Sequence, residues 1–428
     1  MKQIFSNPTM LMGMAITAAL FSSCSKDHDM PPAMPYTFKV ENVLEVKPLV
    51  ESGTFKGMGT PPLILPGQSV SFSFSAGKGQ AISFATMYGW SNDMFFAPAN
   101  PGIALYDDKG DPVQGDVSAQ VKLWDNGSKI NQQPGKDNPH NSADENGVIT
   151  EINGKDAQGH SFLPASQLVK AVLQYNAATS VFTLTLTNTS GGTANETPLS
   201  PGVWAVSNFL GGALLTKTPL FEAGKPTANG VQPLAEMGNN TVLAAYATAN
   251  TKVATGLSPV VVVVYEGNIK PIFTAGQKDP ANGLAMIAQE GKQADLVAAL
   301  GKMAGVKQVY VLSPSDKPIT PGNSASIQIK AQPGDRIAFA TMFGNSNDWF
   351  YAFDDMGIPA GQSGDLTNQV KLWDDGTEVN EYPGAGNHQA AFNPGLKNAE
   401  DKAIGEVNGE AYYSLPAVKD VIRVTLTK

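Results

Sequence analysis

The chain has 428 residues, of which 42% are hydrophobic and 16% charged. This is a globular composition, and a length that predicts two domains rather than one. The formal net charge of −9 comes without a basic stripe, which excludes a nucleic-acid-binding surface. The single cysteine, Cys24, excludes an intrachain disulfide and a cysteine-based zinc site.

The N-terminus reads as an address. Lys2 is followed by an apolar run from Met10 to Phe21. The run is too short for a stable membrane span and has the form of a signal-peptide core. Ser22-Ser23 then precede Cys24, an arrangement that resembles a bacterial lipobox, although Phe21 departs from the aliphatic residue usual there. Ser25-Lys26-Asp27-His28-Asp29 resembles the lysine-plus-acidic export signal of bacterial surface lipoproteins. Residues 1–23 are therefore expected to be a lipoprotein signal peptide. Residues 24–35 are the expected lipidated cysteine and a proline-rich, extended tether. The membrane is the expected partner of this end, with the chain lipid-anchored in the outer membrane and exposed at the cell surface.

Beyond the tether, short alternating strands dominate. Ser71-Phe72-Ser73-Phe74-Ser75 places its aromatic residues on one face, as do Phe182, Leu184 and Leu186 among threonines. Ile327 and Ile329 follow the same period, and Val424 and Leu426 close the chain in the same way. Pro66-Gly67, Pro321-Gly322 and Pro333-Gly334 mark turns. The stretch Gln293 to Leu300 is helical in pattern, with Leu296, Val297 and Leu300 able to share a face.

Internal repetition sets the expected organisation. Residues 85–96 recur as 340–351 with eight of twelve positions identical, and 115–127 recur as 364–376 with nine of thirteen. A shorter pair lies between them. Leu199-Ser200-Pro201 answers to Leu257-Ser258-Pro259, Pro219-Leu220-Phe221 to Pro271-Ile272-Phe273, and Ala228-Asn229-Gly230 to Ala281-Asn282-Gly283. The order is long, short, short, long. Either the second module is circularly permuted, or short and long blocks pair in a crossed way. Permutation is the expected arrangement, with modules at 36–250 and 251–428. The expected fold class is mainly β: two antiparallel β-sandwich modules with a few short helices.

These blocks resemble the spondin N-terminal domain family. Ser91-Asn92-Asp93-Met94-Phe95 and Ser346-Asn347-Asp348-Trp349-Phe350 are similar to its serine-x-aspartate-tryptophan segment. Leu123 to Ser128 and Leu372 to Thr377 are similar to its aspartate-x-glycine-threonine segment. The resemblance covers nearly all of 36–428. It implies spondin-type sandwiches, one calcium site at a loop end of a module, and extracellular adhesion.

Calcium requires several converging hard oxygen ligands. In the second repeat the candidates are Asp348, Asp374 and Glu378; in the first they are Asp93 and Asp125, with Lys129 in the third place. A lysine repels a cation, so the first site is expected to be weak, altered or absent unless Asn131 or a backbone oxygen substitutes. The alternative is that Asp125 and Asp374 simply accept bonds from turn amides. Asp116 and Asp365 are expected to cap strand entries, and Trp124 and Trp373 to be buried. The four histidines, His28, His140, His160 and His388, show no zinc-ligand spacing, and no phosphate loop or nucleophile elbow appears. The expectation is a surface adhesion or ligand-binding lipoprotein, not an enzyme, with an extracellular protein or glycan as ligand. An accessory outer-membrane lipoprotein without external ligand is the alternative, and a glycan-active enzyme the third reading.

Overall fold

The chain folds into strands whose burial follows their sequence period. In Val181–Asn188 the residues Phe182, Leu184 and Leu186 are buried while the threonines between them are half-buried. In Val260–Tyr265 every residue is buried, because this strand is covered on both faces and needs no polar side. The computed structural model describes residues 32–314, 317–408 and 415–428. The expected signal peptide and Cys24 lie outside the described residues.

In chain order, β1 is Met34–Asn42, β2 Leu49–Phe55, β3 Ser69–Ser75, β4 Ala81–Met87, β5 Met94–Pro98 and β6 Ile103–Ala104. Then come β7 Gly115–Asp116, β8 Val121–Asp125, β9 Thr150–Glu151, the single turn α1 Ala165–Leu168, β10 Val169–Asn176 and β11 Val181–Asn188. The first short block supplies β12 Gly202–Ser207, the hairpin β13 Phe209–Leu210 and β14 Ala213–Leu214, then α2 Val231–Met237 and α3 Thr241–Ala249. The second supplies β15 Val260–Tyr265, α4 Leu284–Glu290 and α5 Ala294–Leu300. The chain continues with β16 Val306–Leu312, β17 Ser324–Ala331, β18 Arg336–Met342, β19 Trp349–Ala352 and β20 Ile358–Pro359. It ends with β21 Gly364–Asp365, β22 Lys371–Asp374, β23 Gly405–Glu406 and β24 Ile422–Thr427.

The protein is mainly β, built as two antiparallel sandwich modules. The large sheets run β2-β12-β4-β5-β8-β9 and β16-β15-β18-β19-β22-β23, with β6 on β4 and β20 on β18. The small sheets run β3-β11-β10-β7 and β17-β1-β24-β21. Strand for strand the two orders match. Each module has one core between its sheets, around Phe74, Phe182 and Trp204 in the first and Phe38, Phe339 and Tyr351 in the second. A second core lies between the large sheet and its two helices. Trp124 and Trp373 are buried in that helix-covered layer, edge-on to Phe221 and Phe273. Leu296 and Leu300 of α5 are buried there too.

Strand β1 departs from the expected boundaries. It pairs antiparallel with β17 (Tyr36↔Ile329) and with β24 (Val40↔Val424), the place that β11 holds in the first module. Residues 36–42 therefore complete the second sandwich, although 36–250 was the expected extent of the first. Chain from 49 to 250 is inserted between β1 and the rest of its module. The physical reason is that Tyr36, Phe38 and Val40 are all buried in the second core. Burying three such side chains is worth roughly 5–9 kcal/mol.

Residues 381–393 of the second module reach into the first. Ala385 is buried in the first module's core, and Phe392 packs on Phe209 with ring centroids 5.3 Å apart. Gln80 donates to the Gly384 carbonyl at 3.0 Å. Among the described residues no helix is long and apolar enough to cross a membrane.

Candidate functional site

The repeated segments meet at one loop end of each large sheet. After β4 and β18 the chain turns sharply. Ser91 Oγ donates to the Tyr88 carbonyl at 2.7 Å and accepts from Met94 N at 3.0 Å; Ser346 does the same with Phe343 and Trp349 at 2.7 and 3.0 Å. This pinned turn carries Asp93 and Asp348 to the loops that follow β8 and β22. Asp93 Oδ2 accepts from Ser128 N, Lys129 N and Ser128 Oγ at 2.8, 2.8 and 3.1 Å. Asp348 Oδ2 accepts from Thr377 N, Glu378 N and Thr377 Oγ1 at 2.7, 2.9 and 3.0 Å.

Asp125 and Asp374 shape the same loops from their own ends. Their Oδ1 atoms accept from Gly127 N and Gly376 N, each at 2.8 Å. Their Oδ2 atoms accept from Asn131 and Asn380 amides, each at 2.6 Å. Gly127 and Gly376 sit at φ of 71° and 73°, where glycine is favoured. A Cβ there would also lie 2.7 Å from Val148 N or 2.8 Å from the Lys402 carbonyl. The four aspartates therefore cap turn amides, as the alternative reading of Asp125 and Asp374 has it. Asp116 and Asp365 likewise accept from Ser118 N and Thr367 N at 2.9 Å.

Capping leaves part of the oxygen set over. Asp93 and Asp348 are both fully buried. Among the described residues, their Oδ1 atoms have no hydrogen-bond partner. The same holds one residue after the loop aspartate, at the buried Asn126 Oδ1 and Asp375 Oδ1. An unmatched buried acceptor costs about 1–3 kcal/mol, and here it recurs at matched positions in two modules.

The electrostatics follow. Burial, then the Asp125 charge, pushes Asp93 up to about 6. Burial raises Asp125 as well. In the second module burial and then the Asp374 charge raise Asp348, and burial and then the Asp279 charge raise Asp375. Glu378 is pushed up to about 8 by burial and then by Asp348. The second loop is thus the more acidic. Lys129, at the place of Glu378, pairs instead with Asp144. Among the described residues no three His, Cys, Asp or Glu side chains converge in a group that could hold a metal ion. Asp375 and Asn126 were not among the expected site residues. Their signal was their place beside Asp374 and Asp125 in the repeated loop.

His140 and His388 do not occupy equivalent sites. His140 Nε2 lies 3.1 Å from the Gly135 carbonyl in an exposed loop. His388 Nδ1 lies 2.6 Å from Glu381 Oε1 at the joint between modules. No family model and no curated protein matches this chain.

Proposed function

We propose that the chain is a lipid-anchored, surface-exposed adhesion protein of spondin type, whose sandwich modules hold calcium at their matched loop ends and bind an extracellular protein or glycan. The observation that carries the reading is the repeated orphan oxygen: a buried carboxylate, capped on one side only, at the same place in both modules. Buried anions with mutually raised pKa values are relieved by a cation or by a proton. Calcium takes carboxylate, amide and backbone oxygens together, so two acids with neighbouring asparagine and carbonyl oxygens suit its chemistry. In the second module the orphan Oδ1 atoms of Asp348 and Asp375 would be its carboxylate ligands, with the capping Asp374 and the nearby Glu378 adding negative charge around them rather than completing a cluster of three. In the first, Asp93, Asp125 and the Asn126 and Asn131 amides would do so more weakly. Two modules on one anchor would add avidity toward a repeated ligand.

Melting the mature chain in chelator and in calcium tests the cation. Extracellular calcium modules have dissociation constants on the order of 0.1–1 mM. About 10 mM calcium should then stabilise the folded state by roughly 1.4–2.7 kcal/mol, a rise of a few degrees. Equal melting temperatures in both buffers would remove calcium from this account. Anchoring is tested separately. Cys24→Ala should move the protein from the detergent to the aqueous phase on partitioning, and protease added to intact cells should cleave the wild type.

A further inference from the structure

The two loop ends differ in what lies beyond them. In the first module the loop after β8 is open to solvent, with Gln133, Lys136 and His140 exposed. In the second module the matching loop after β22 runs straight into the joint. The supporting frame is the same in both. Gln132 N donates to Asn92 Oδ1 at 2.9 Å and Gly135 N to the Trp90 carbonyl at 3.0 Å. Glu381 N donates to Asn347 Oδ1 at 3.0 Å and Gly384 N to the Asn345 carbonyl at 2.8 Å. On that frame the second module carries Glu381 for Gln132 and Ala385 for Lys136. Ser180 of the first module donates to Glu381 and accepts from Asn387 N at 3.2 Å. Asn345 Nδ2 donates across to the Phe209 carbonyl at 3.3 Å.

The acids of the second loop share these short stretches of chain. Asp348 follows Asn347, and Glu381 lies three residues after Glu378. Thr377 Oγ1 is 3.0 Å from Asp348 Oδ2 and 3.1 Å from Asp375 Oδ2, and it accepts from Gln289 Nε2 at 2.9 Å. One hydroxyl proton thus serves two buried carboxylates. The first module has no such shortage: Asn126 Nδ2 donates to Ser128 Oγ at 2.8 Å, and Ser128 Oγ to Asp93 Oδ2 at 3.1 Å. Closing the joint buries the Glu381 carboxylate beside this uncompensated charge. Like charges brought together out of water repel, and a cation between Asp348 and Asp375 relieves that repulsion. The joint in turn pins Asn347 and Glu381, which flank the loop acids, and so holds the cation's ligands in place.

We propose that cation binding at the second module's loop and closure of the joint are coupled, each strengthening the other, so that calcium sets how firmly the first module is held on the second. The inference rests on the calcium reading of that loop. Coupling of this kind is reciprocal, so damage to the joint from the first module's side weakens the cation site.

Calcium is titrated calorimetrically into the mature chain, and the second site is the binding that Asp348→Asn removes. Ser180→Gly takes away the hydroxyl that meets Glu381 and suits the backbone there, at φ 53°. Phe209→Ala takes away the ring packed on Phe392. Both substitutions lie in the first module, and neither alters a loop acid. Each should weaken the second site at least about fivefold with the circular dichroism unchanged. In the wild type, calcium should slow hydrogen exchange at the Ala385 and Asn387 amides of the joint as well as at Thr377 and Glu378 in the loop. Wild-type affinity in both variants, or slowed exchange confined to the loop, overturns the coupling and leaves the calcium reading standing. Absence of any binding that Asp348→Asn removes overturns both.

Discussion

At the scale of single residues, the buried acids of the repeated loops set the pH response. The folded values of Asp93, about 6, and Glu378, about 8, lie above their ordinary 3.8 and 4.5. Between the ordinary and the folded value the folded state binds more protons than the unfolded chain, so stability is greatest at the acid end and is lost as pH rises. In chelator the stability should therefore fall between about pH 4 and pH 8, by on the order of a few kcal/mol in all, and the melting temperature with it. Saturating calcium should flatten this slope, because it takes the protons' place. A slope of opposite sign in chelator would mean that these acids are charged and satisfied in the apo protein. Asp348→Asn is the matching substitution. Its oxygen can keep the Thr377 and Glu378 amides while its NH2 replaces the orphan oxygen. Apo stability should hold or rise by about 1–2 kcal/mol, and most of the calcium shift should vanish. Asp93→Asn should remove little of it, because the first loop has Lys129 and Asn126 where the second has Glu378 and Asp375. Much of this site was legible in the repeats, since Asp93, Asp125 and the glycine two residues on recur at fixed spacing. Asp375 was not, because its counterpart is an amide and comparing repeats rewards identity.

At the scale of elements, β1 decides what can fold alone. Tyr36, Phe38 and Val40 alternate with polar residues, and that period predicts a strand with one buried face. It says nothing of which sheet the strand joins, because pairing partners hundreds of residues apart leave no local trace. Fragment 251–428 lacks this inner strand of its small sheet, with burial worth roughly 5–9 kcal/mol. That is comparable with the whole net stability of a domain. The fragment alone should be unfolded by circular dichroism. Appending residues 34–44 after Lys428 through a short turn should restore it, since Thr37 lies opposite Thr427 in the antiparallel pair. The product would have the hairpin connection that already joins β10 to β11. A folded 251–428 fragment without β1 would show that the strand is an accessory rather than part of the core.

At the scale of the whole molecule, insertion of one module into the other changes what the joint must do. The long, short, short, long order of the repeats made permutation legible, but the joint was not, because it is built from residues that the repeats do not share. Glu381 stands where the first module has Gln132. Both accept from or bond the preceding Asn347 or Asn92 side chain in the same way, Asn347 Nδ2 at 3.1 Å and Asn92 Nδ2 at 3.0 Å. Only Glu381 also crosses to the other module, where Ser180 Oγ donates to it. His388 Nδ1 and backbone N complete its partners at 2.6 and 2.9 Å. Glu381 is buried, so truncating it strands several donors at once, at a cost of about 2–4 kcal/mol. That cost falls on the joint and on neither core. The wild type should therefore melt in one calorimetric transition, and Glu381→Ala in two. Glu381→Gln, which copies the first module and keeps an acceptor toward Ser180, should still melt in one. A single transition for Glu381→Ala at a uniformly lowered temperature would place the coupling elsewhere. The next contact to break would be the burial of Ala385 in the first module's core, because that apolar contact holds the same loop without any charge.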